Sequence, residues 1–130
     1  MIGTGETMRN KTVLVVDDEA GIRSNLMLFL RMEGYVAREA ADGAAGLASV
    51  ASVQPDLIIC DVMMPEIDGF TFLKQLRENP LTSNIPLIFL TASAEQEVMQ
   101  AALASGAGAY LSKPFKLAQL RALIERLIGK

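Results

Sequence analysis

The sequence contains no histidine among its 130 residues. The chain therefore lacks the commonest metal ligand and the usual general base, and it cannot form a phosphohistidine intermediate. If this chain takes part in phosphoryl chemistry, the acceptor has to be a carboxylate.

Cysteine is almost as scarce, since Cys60 is the only one in the sequence. One thiol cannot form an intramolecular disulfide or a thiolate metal cluster. We interpret Cys60, which lies in an apolar run, as a small buried residue in a reducing compartment. No segment reaches the roughly 18 consecutive apolar residues that span a membrane, and the first ten residues lack the apolar core of a signal peptide. These absences predict a cytoplasmic protein with no membrane partner.

The charge balance argues against another class of partner. A formal net charge of -3 gives no electrostatic reason to expect direct binding to nucleic acid or to an anionic membrane. Hydrophobic residues make up 51% of the chain and charged residues 21%, so we expect a packed core rather than disorder. The length predicts one domain, which we place at residues 11–129, after a flexible N-terminus at residues 1–10.

Short apolar runs alternate with longer helical patterns along the whole chain. The run at residues 12–16 shows no polar alternation, which is typical of a strand buried on both faces, whereas the run at residues 35–39 is more polar and suits an edge strand. The segments between the runs have apolar residues at helical spacing. Five such units predict a doubly wound α/β fold with a parallel sheet and helices on both faces. The predicted strands are residues 12–16, 35–39, 57–60, 87–90 and 109–111, and residues 95–105 are predicted to form an Ala-rich helix.

Polar residues directly follow four of the predicted strands. Because the carboxyl ends of parallel strands share one edge of a sheet, where ligands bind, we expect these side chains to lie close together. They are Asp17, Asp18 and Glu19 after the first strand, Asp61 after the third, Thr91 after the fourth, and Ser112 and Lys113 after the fifth.

The chemistry of this group indicates a cation and a phosphoryl group. Clustered carboxylates repel each other unless a cation lies among them, and hard oxygen ligands without sulfur or imidazole favour Mg²⁺. An aspartate such as Asp61 can act as a nucleophile and form an acyl phosphate. Lys113 and the metal could neutralise the charge of the transferred group, and Thr91 could donate a hydrogen bond to one of its oxygens.

Each of these residues, taken alone, also has an ordinary structural interpretation. Asp17 and Asp18 could form a solvated turn that caps a helix, and Asp61 could cap the loop that follows it. Thr91 could belong to the cap of the next helix, and Lys113 could be a solvated surface lysine. The functional interpretation depends on their coincidence, because four strand ends each present a group that phosphoryl transfer requires.

Four segments resemble, in order, the motifs of the receiver domain of bacterial response regulators. They are VLVVDDE at residues 13–19, DVMMPEIDG at residues 61–69, LTA at residues 90–92 and GAGAYLSKPF at residues 106–115. The resemblance extends over residues 11–128, which is nearly the whole chain. It implies a flavodoxin-like fold with five helices and a five-stranded parallel sheet in the order 2-1-3-4-5, an order for which a receiver protein is a known example.

The resemblance also assigns roles to individual residues. It implies that Asp61 is the phosphoacceptor and that Lys113 contacts the phosphoryl group. Thr91 would move toward that group, and Tyr110 would be the aromatic switch residue whose ring turns inward when Thr91 moves. The Lys113–Pro114 peptide bond is expected to be cis, as in the family.

For Mg²⁺ the resemblance implies a mixed set of ligands. Asp18 and Asp61 would ligate the ion, Asp17 would ligate through water or shape the site, and the backbone carbonyl of Met63 would be a further ligand. Met63 and Ser93 occupy the positions two residues past Asp61 and Thr91, which vary in the family and affect how fast the phosphate is lost. Neither is acidic or an amide, so we predict that self-dephosphorylation is not especially fast.

The resemblance predicts a phosphoacceptor switch of a two-component or phosphorelay system. The chain would accept a phosphoryl group from a sensor histidine kinase or a histidine phosphotransfer protein, and would catalyse only its own phosphorylation and dephosphorylation. Phosphorylation would change a partner-binding face on the last third of the chain, with Glu97, Lys116 and Gln119 as candidate contacts. That face would serve a homodimer or a downstream protein. A stand-alone regulator and a piece of a larger regulator or hybrid kinase both fit the sequence.

Three other classes share parts of this pattern. A magnesium-dependent aspartyl phosphatase would have a second aspartate where this chain has Met63. A flavin-binding electron carrier would need a hydroxyl-rich phosphate cradle after the first strand, where residues 17–21 carry negative charge instead. A degenerate receiver, acting only as a protein interaction module, would lack an acid, the threonine or the lysine, and none of these is missing.

Overall fold

The structure, a computed structural model, describes residues 11–92 and 95–129. The predicted flexible segment at residues 1–10 and Ser93 lie outside the described residues. Within the described ranges, strands and helices alternate in five units: β1 (Thr12–Val16), α1 (Ala20–Met32), β2 (Val36–Ala40), α2 (Gly43–Ser52), β3 (Leu57–Asp61), α3 (Gly69–Glu78), β4 (Leu87–Thr91), α4 (Gln96–Ala104), β5 (Ala109–Ser112) and α5 (Leu117–Ile128). Across these same ranges, no helix is long and apolar enough to cross a bilayer.

The five strands of the described chain form one parallel sheet in the order β2-β1-β3-β4-β5. From β1 the chain first adds β2 on one side of the sheet and then adds β3, β4 and β5 on the other side, so the strand order reverses between β1 and β3. The crevice between the carboxyl ends of β1 and β3 is therefore the point at which an open parallel sheet binds ligands. This topology confirms the flavodoxin-like fold that the resemblance to receiver domains implied.

The two faces of the sheet carry separate apolar cores. Successive strand residues point to opposite faces, so that Leu14 and Val16 pack on one side and Val13 and Val15 on the other. Buried residues of α2, α3 and α4 cover the first side, and buried residues of α1 and α5 cover the second. Because the inner strands are buried on both faces, their sequences are continuous apolar runs.

A glycine in the left-handed conformation follows helix α1. Gly34 has a φ of 94°. Its N–H donates to Arg31 O, and the N–H of Tyr35 donates to Leu30 O, each at 3.0 Å. This is a Schellman motif with glycine in the left-handed conformation. Because Tyr35 completes that turn, β2 begins at Val36 rather than at the predicted residue 35.

The loop after β3 brings α3 very close to the strand that precedes it. The N–H of Gly69 donates to Val62 O at 2.8 Å. A Cβ atom on Gly69 would lie 2.5 Å from Asp61 O and 2.8 Å from Phe89 Cε1, which is closer than non-bonded atoms approach. Glycine is therefore required beside the last residue of β3, and its absence of a side chain lets α3 pack against the sheet.

Replacing Gly69 with alanine should destabilise the fold by about 2 to 4 kcal/mol, because the added methyl group must push α3 away from the backbone of β3. Gly21→Ala is the matched control. Gly21 lies in α1 with nothing within 4 Å of an added Cβ, so this variant should gain up to about 1 kcal/mol of helix propensity. Urea unfolding followed by circular dichroism measures both changes. Equal midpoints for the two variants would contradict the close packing at Gly69.

Candidate functional site

Four strands bring polar residues to one edge of the sheet. Asp17 directly follows β1, Asp61 and Thr91 are the last residues of β3 and β4, and Lys113 directly follows β5. The N–H of Lys113 donates to Thr91 O at 2.6 Å, which fixes the lysine backbone to the neighbouring strand. The Lys113–Pro114 peptide bond is cis, as expected. The grouping that the strand ends predicted is therefore present.

The ammonium group of Lys113 lies among three carboxylates. Its Nζ atom is 3.3 Å from Asp17 Oδ2 and 3.5 Å from Asp61 Oδ2, and 3.7 Å from Glu19 Oε1. Asp17 and Asp61 are buried, whereas Glu19 is exposed. One positive charge therefore faces three negative charges, and the site as a whole remains anionic.

Burial and neighbouring charge oppose each other at this site. Burial raises the pKa of Asp61, the charge of Lys113 lowers it by less, and Asp17 raises it further. Burial alone would lower the pKa of Lys113, but the carboxylates of Asp61 and Asp17 outweigh that effect and the pKa is raised. Lys113 therefore stays protonated, while Asp61 ionises in surroundings that disfavour its charge. A carboxylate in that condition favours an additional cation.

The oxygen atoms at this edge suit a hard divalent cation. One carboxylate oxygen from each of Asp17, Glu19 and Asp61 can be chosen so that all lie within 4.8 Å of one another. This donor set has no sulfur or imidazole, and it fits Mg²⁺, which takes one or two carboxylates and keeps some of its waters. The sequence placed Glu19 at this strand end but did not assign it to the metal.

Two of the predicted metal ligands, Asp18 and the Met63 carbonyl, are not among the grouped carboxylate oxygens. Asp18 is exposed and is not one of the three grouped carboxylates, although its charge is among those that raise the pKa of Asp61. Met63 reaches the site through its backbone N–H, which donates to Asp61 Oδ1 at 3.3 Å. Ligation by Asp18 and by the Met63 carbonyl stays a prediction.

Thr91 and Tyr110 contact each other directly. Thr91 is fully buried, and its side chain is hydrogen-bonded to that of Tyr110. The Tyr110 ring is half-buried against the core that α2, α3 and α4 cover. Burial raises the pKa of the Tyr110 hydroxyl, the hydrogen bond with Thr91 opposes this rise, and the charge of Glu95 adds to it. The two residues predicted to switch together are thus already coupled.

The residues predicted for the partner face are only partly available to a partner. Glu97, Lys116 and Gln119 are all exposed. The side chain of Gln119, however, accepts a hydrogen bond from the N–H of Lys116 at 3.0 Å, which caps the first turn of α5. Gln119 therefore has a structural role that the sequence interpretation did not assign.

The sequence interpretation did not identify Arg23, which hydrogen-bonds to the backbone of the acidic loop at residues 17–19. Arg23 in α1 donates through Nη1 to Asp17 O at 2.9 Å and through Nε to Glu39 Oε1 at 3.0 Å. The one available signal was its spacing, since Arg23 comes six residues after Asp17 and early in the helix that follows the acids. That spacing does not reveal which way a long side chain turns.

Comparison with known sequences agrees with this geometry. The chain matches the response regulator receiver domain family over residues 13–125. It is 40% identical over 118 residues to the DNA-binding dual master transcriptional regulator RpaA of Synechocystis sp., covering 88% of this chain and 49% of that protein. It is 38% identical over 123 residues to the phosphate regulon transcriptional regulatory protein PhoB of Pseudomonas aeruginosa, covering 92% and 54%. The chain spans about half the length of these curated relatives.

Solved structures agree as well. A putative response regulator from Chloroflexus aurantiacus superposes with a TM-score of 0.88 at 37% identity, covering 93% of this chain and 99% of that one. The chemotaxis protein CheY4 of Vibrio cholerae superposes with a TM-score of 0.85 at 36% identity, covering 91% and 98%. The likeness therefore extends over almost the whole of both structures.

The charge balance at the site predicts that Asp61→Asn stabilises the metal-free protein at neutral pH, on the order of 1 kcal/mol. Because the pKa of Asp61 is raised in the folded state, its ionised form costs stability above that pKa. The cost should vanish as the pH falls through the raised pKa to below the ordinary value of 3.8.

Urea unfolding at several pH values, in the presence of a chelator, measures this difference. The gap between Asp61→Asn and the wild type should close on acidification. Asp42→Asn is a matched control, because Asp42 is an exposed helix cap and asparagine caps a helix equally well. A variant at position 61 that is less stable than the wild type at pH 7 would contradict the charge argument.

Proposed function

The chain belongs to the response regulator receiver domain family, and on that premise we propose that it is a phosphoacceptor switch of a two-component or phosphorelay system. Asp61 accepts a phosphoryl group from a sensor histidine kinase or a histidine phosphotransfer protein. The observation that carries this proposal is the position of Lys113 Nζ, which lies 3.5 Å from Asp61 Oδ2 and 3.3 Å from Asp17 Oδ2. A carboxylate nucleophile is thereby held beside a fixed cation.

In the proposed transfer, one bond forms and one breaks. A carboxylate oxygen of Asp61 bonds to phosphorus while the phosphorus–nitrogen bond of the donor phosphohistidine breaks, and the imidazole leaves with the electron pair and takes up a proton. Lys113 stays protonated and faces the negative charge of the group in transfer. Mg²⁺, when bound, neutralises part of the same charge. Asp17, Glu19 and Asp61 would hold it, and Asp18 and the Met63 carbonyl are proposed as further ligands.

The chain acts only on its own phosphate in this proposal. Hydrolysis of an acyl phosphate is faster when a side chain positions the attacking water. Met63, two residues after Asp61, is exposed and apolar, so it cannot orient a water by hydrogen bonding. We therefore expect that the phosphorylated state is not lost especially fast.

Phosphorylation would change the hydrogen bonding of Thr91. The added phosphoryl oxygens are strong acceptors at the edge where β3 and β4 end. The Thr91 hydroxyl, now hydrogen-bonded with Tyr110, would turn to one of them. Tyr110 would lose that bond, and its ring could fill the space that Thr91 leaves. Helix α4, which lies between the two residues in the chain, would shift with them.

The proposed output is a change of protein contacts on the last third of the chain. Glu97 and Lys116 are exposed there, for a homodimer or for a downstream protein. RpaA and PhoB are transcriptional regulators, but the net charge of -3 supports a chain that does not itself bind nucleic acid. The degenerate interaction module is not favoured, because the acids, Thr91 and Lys113 are all at the site.

Incubation with Mg²⁺ and a small-molecule phosphodonor should add one phosphoryl group to the wild type and none to Asp61→Asn. Lys113→Met should be phosphorylated about 100-fold more slowly, because it loses the cation that faces the transferred charge. Native mass spectrometry measures the added mass, the bound metal and any dimer in one spectrum. An added phosphoryl group on Asp61→Asn, or none on a magnesium-bound wild type, would refute the assignment of Asp61.

An apolar groove lies beside the site, between α1 and the segment that enters α5. Its volume is about 790 Å³, and its lining includes Lys113 and Phe115. Leu28, Met32 and Leu117 also line it, and all three side chains are exposed. A contiguous exposed apolar surface of this kind is typical of an interaction site.

We propose that the phosphodonor protein places a helix in this groove. The donor has to bring its phosphohistidine to Asp61, so the donor must contact the surface of this chain that surrounds the site. Lys113 belongs to the groove and also contacts Asp61, so a helix seated there lies next to the phosphoacceptor. Amphipathic helices bind such grooves through apolar residues one turn apart.

A histidine kinase that phosphorylates the wild type should phosphorylate Leu28→Glu about tenfold more slowly or worse. The reason is that docking of the kinase would bury the new charge. The rate with a small-molecule phosphodonor should stay unchanged, since that donor needs no groove. Leu81→Glu is the matched control, because Leu81 is also an exposed leucine but does not line the groove. Phosphorylation followed by gel mobility or mass measures each rate. Equal slowing by both substitutions would place the docking surface elsewhere.

A further inference from the structure

Arg23 hydrogen-bonds to the backbone of the acidic loop at residues 17–19. Its side chain is 17% exposed. Its Nη1 donates to Asp17 O at 2.9 Å, and its Nε donates to Glu39 Oε1 on β2 at 3.0 Å. Its backbone N–H donates to Glu19 O at 3.0 Å. One residue of α1 therefore contacts both ends of the loop that carries the acids.

Asp17 is the acid that this arrangement fixes. Its N–H donates to Ala40 O at 3.1 Å, and its carbonyl accepts from Arg23. Of its carboxylate oxygens, Oδ1 accepts from the N–H of Glu19 at 2.9 Å and Oδ2 accepts from Lys113 Nζ at 3.3 Å. All four polar groups of Asp17 are thus engaged, and the contact with Arg23 is the one that holds its carbonyl.

Arginine has the shape that this position requires. Its planar fork presents several N–H groups in fixed directions, so that one can point at the Asp17 carbonyl while another points at the Glu39 carboxylate. The ammonium of a lysine is a single point charge and lacks that fork. Glu39 lies on the edge strand β2, where its carboxylate fixes the direction of the guanidinium.

We propose that Arg23, held by Glu39, is a positioning residue of the magnesium site. It fixes the Asp17 carboxylate through the backbone of the acidic loop and does not itself touch the metal or the phosphoryl group. The inference rests on the proposed function for the reaction that it serves. The property that it predicts, however, is the magnesium affinity of the unphosphorylated chain, which is measured without any phosphodonor.

Electrostatics and positioning predict opposite effects of removing Arg23 on the affinity for Mg²⁺. Arg23 carries a positive charge close to the acids, so its removal should strengthen the binding of another cation. Positioning predicts weaker binding, because metal ligands that lose a supporting contact typically lose 10- to 100-fold in affinity. The direction of the change therefore separates the two explanations.

Isothermal titration calorimetry with Mg²⁺ on the full chain tests this. Arg23→Met keeps the apolar stem but removes every donor, and should raise the Kd for Mg²⁺ about tenfold or more. Arg23→Lys keeps the charge, so any rise in its Kd reflects positioning, and it should lie between Arg23→Met and the wild type. Arg121→Met is the matched control. Arg121 makes a comparable pair with Glu33, at 2.8 Å, between α5 and the end of α1, and its loss should leave the Kd unchanged.

Circular dichroism establishes whether each variant is folded at the titration temperature. If Arg23→Met is unfolded, the comparison of Arg23→Lys with the wild type tests the inference. An unchanged or lower Kd in the folded Arg23 variants would overturn the inference. The same would follow if Arg121→Met weakened binding equally. A wild type that binds Mg²⁺ but accepts no phosphoryl group would overturn the proposed function and leave the inference intact. A wild type that binds no Mg²⁺ would overturn the inference.

Discussion

The ammonium of Lys113 among the carboxylates of Asp17, Glu19 and Asp61 is the interaction on which the rest of this structure depends. Oxygens of these three acids lie within 4.8 Å of one another, and two of the acids are buried, so without a cation their repulsion would strongly disfavour the ionised form of Asp61. Lys113 reduces that repulsion but does not cancel it. The remaining negative charge suits a divalent ion, and the same lysine then faces the charge of a transferred phosphoryl group. One side chain therefore serves both folding and the proposed chemistry.

The parallel sheet makes this charge cluster possible because it fixes backbones rather than side chains. The N–H of Lys113 is bonded to Thr91 O, so the lysine enters the site at a set height beside β4. On the opposite side Arg23 holds the Asp17 carbonyl. Between them, the missing side chain of Gly69 lets α3 pack directly against the carbonyl of Asp61. Each supporting contact is made to a main-chain atom, so the acids are positioned by the fold and not by one another.

The sequence was sufficient for the features that follow from periodicity, and insufficient for those that depend on side-chain direction. Short runs of strand-forming residues, continuous and apolar in four cases and more polar in β2, located every strand to within a residue. The polar residues that follow these runs located the site. Strand order and individual roles came from the resemblance to receiver domains. The grouping of the exposed Glu19 with Asp17 and Asp61 was not predictable, because the order of the acids in a short loop does not reveal the direction of each side chain. The direction of Arg23 was hidden for the same reason, since its spacing is compatible with several orientations.

The packing of α4 determines how a small change at Asp61 could reach a partner. This helix has one buried residue, Ala102, whereas its Met99 and Leu103 are exposed, so few contacts oppose its displacement. A phosphoryl group can shift an equilibrium only by its differential interaction with the two states, and in the proposed switch that interaction would include a hydrogen bond from Thr91. A helix with many buried residues would be harder to displace, because its movement would break more contacts. A shallow helix next to Tyr110, which is already hydrogen-bonded to Thr91, is the element that such a bias can move.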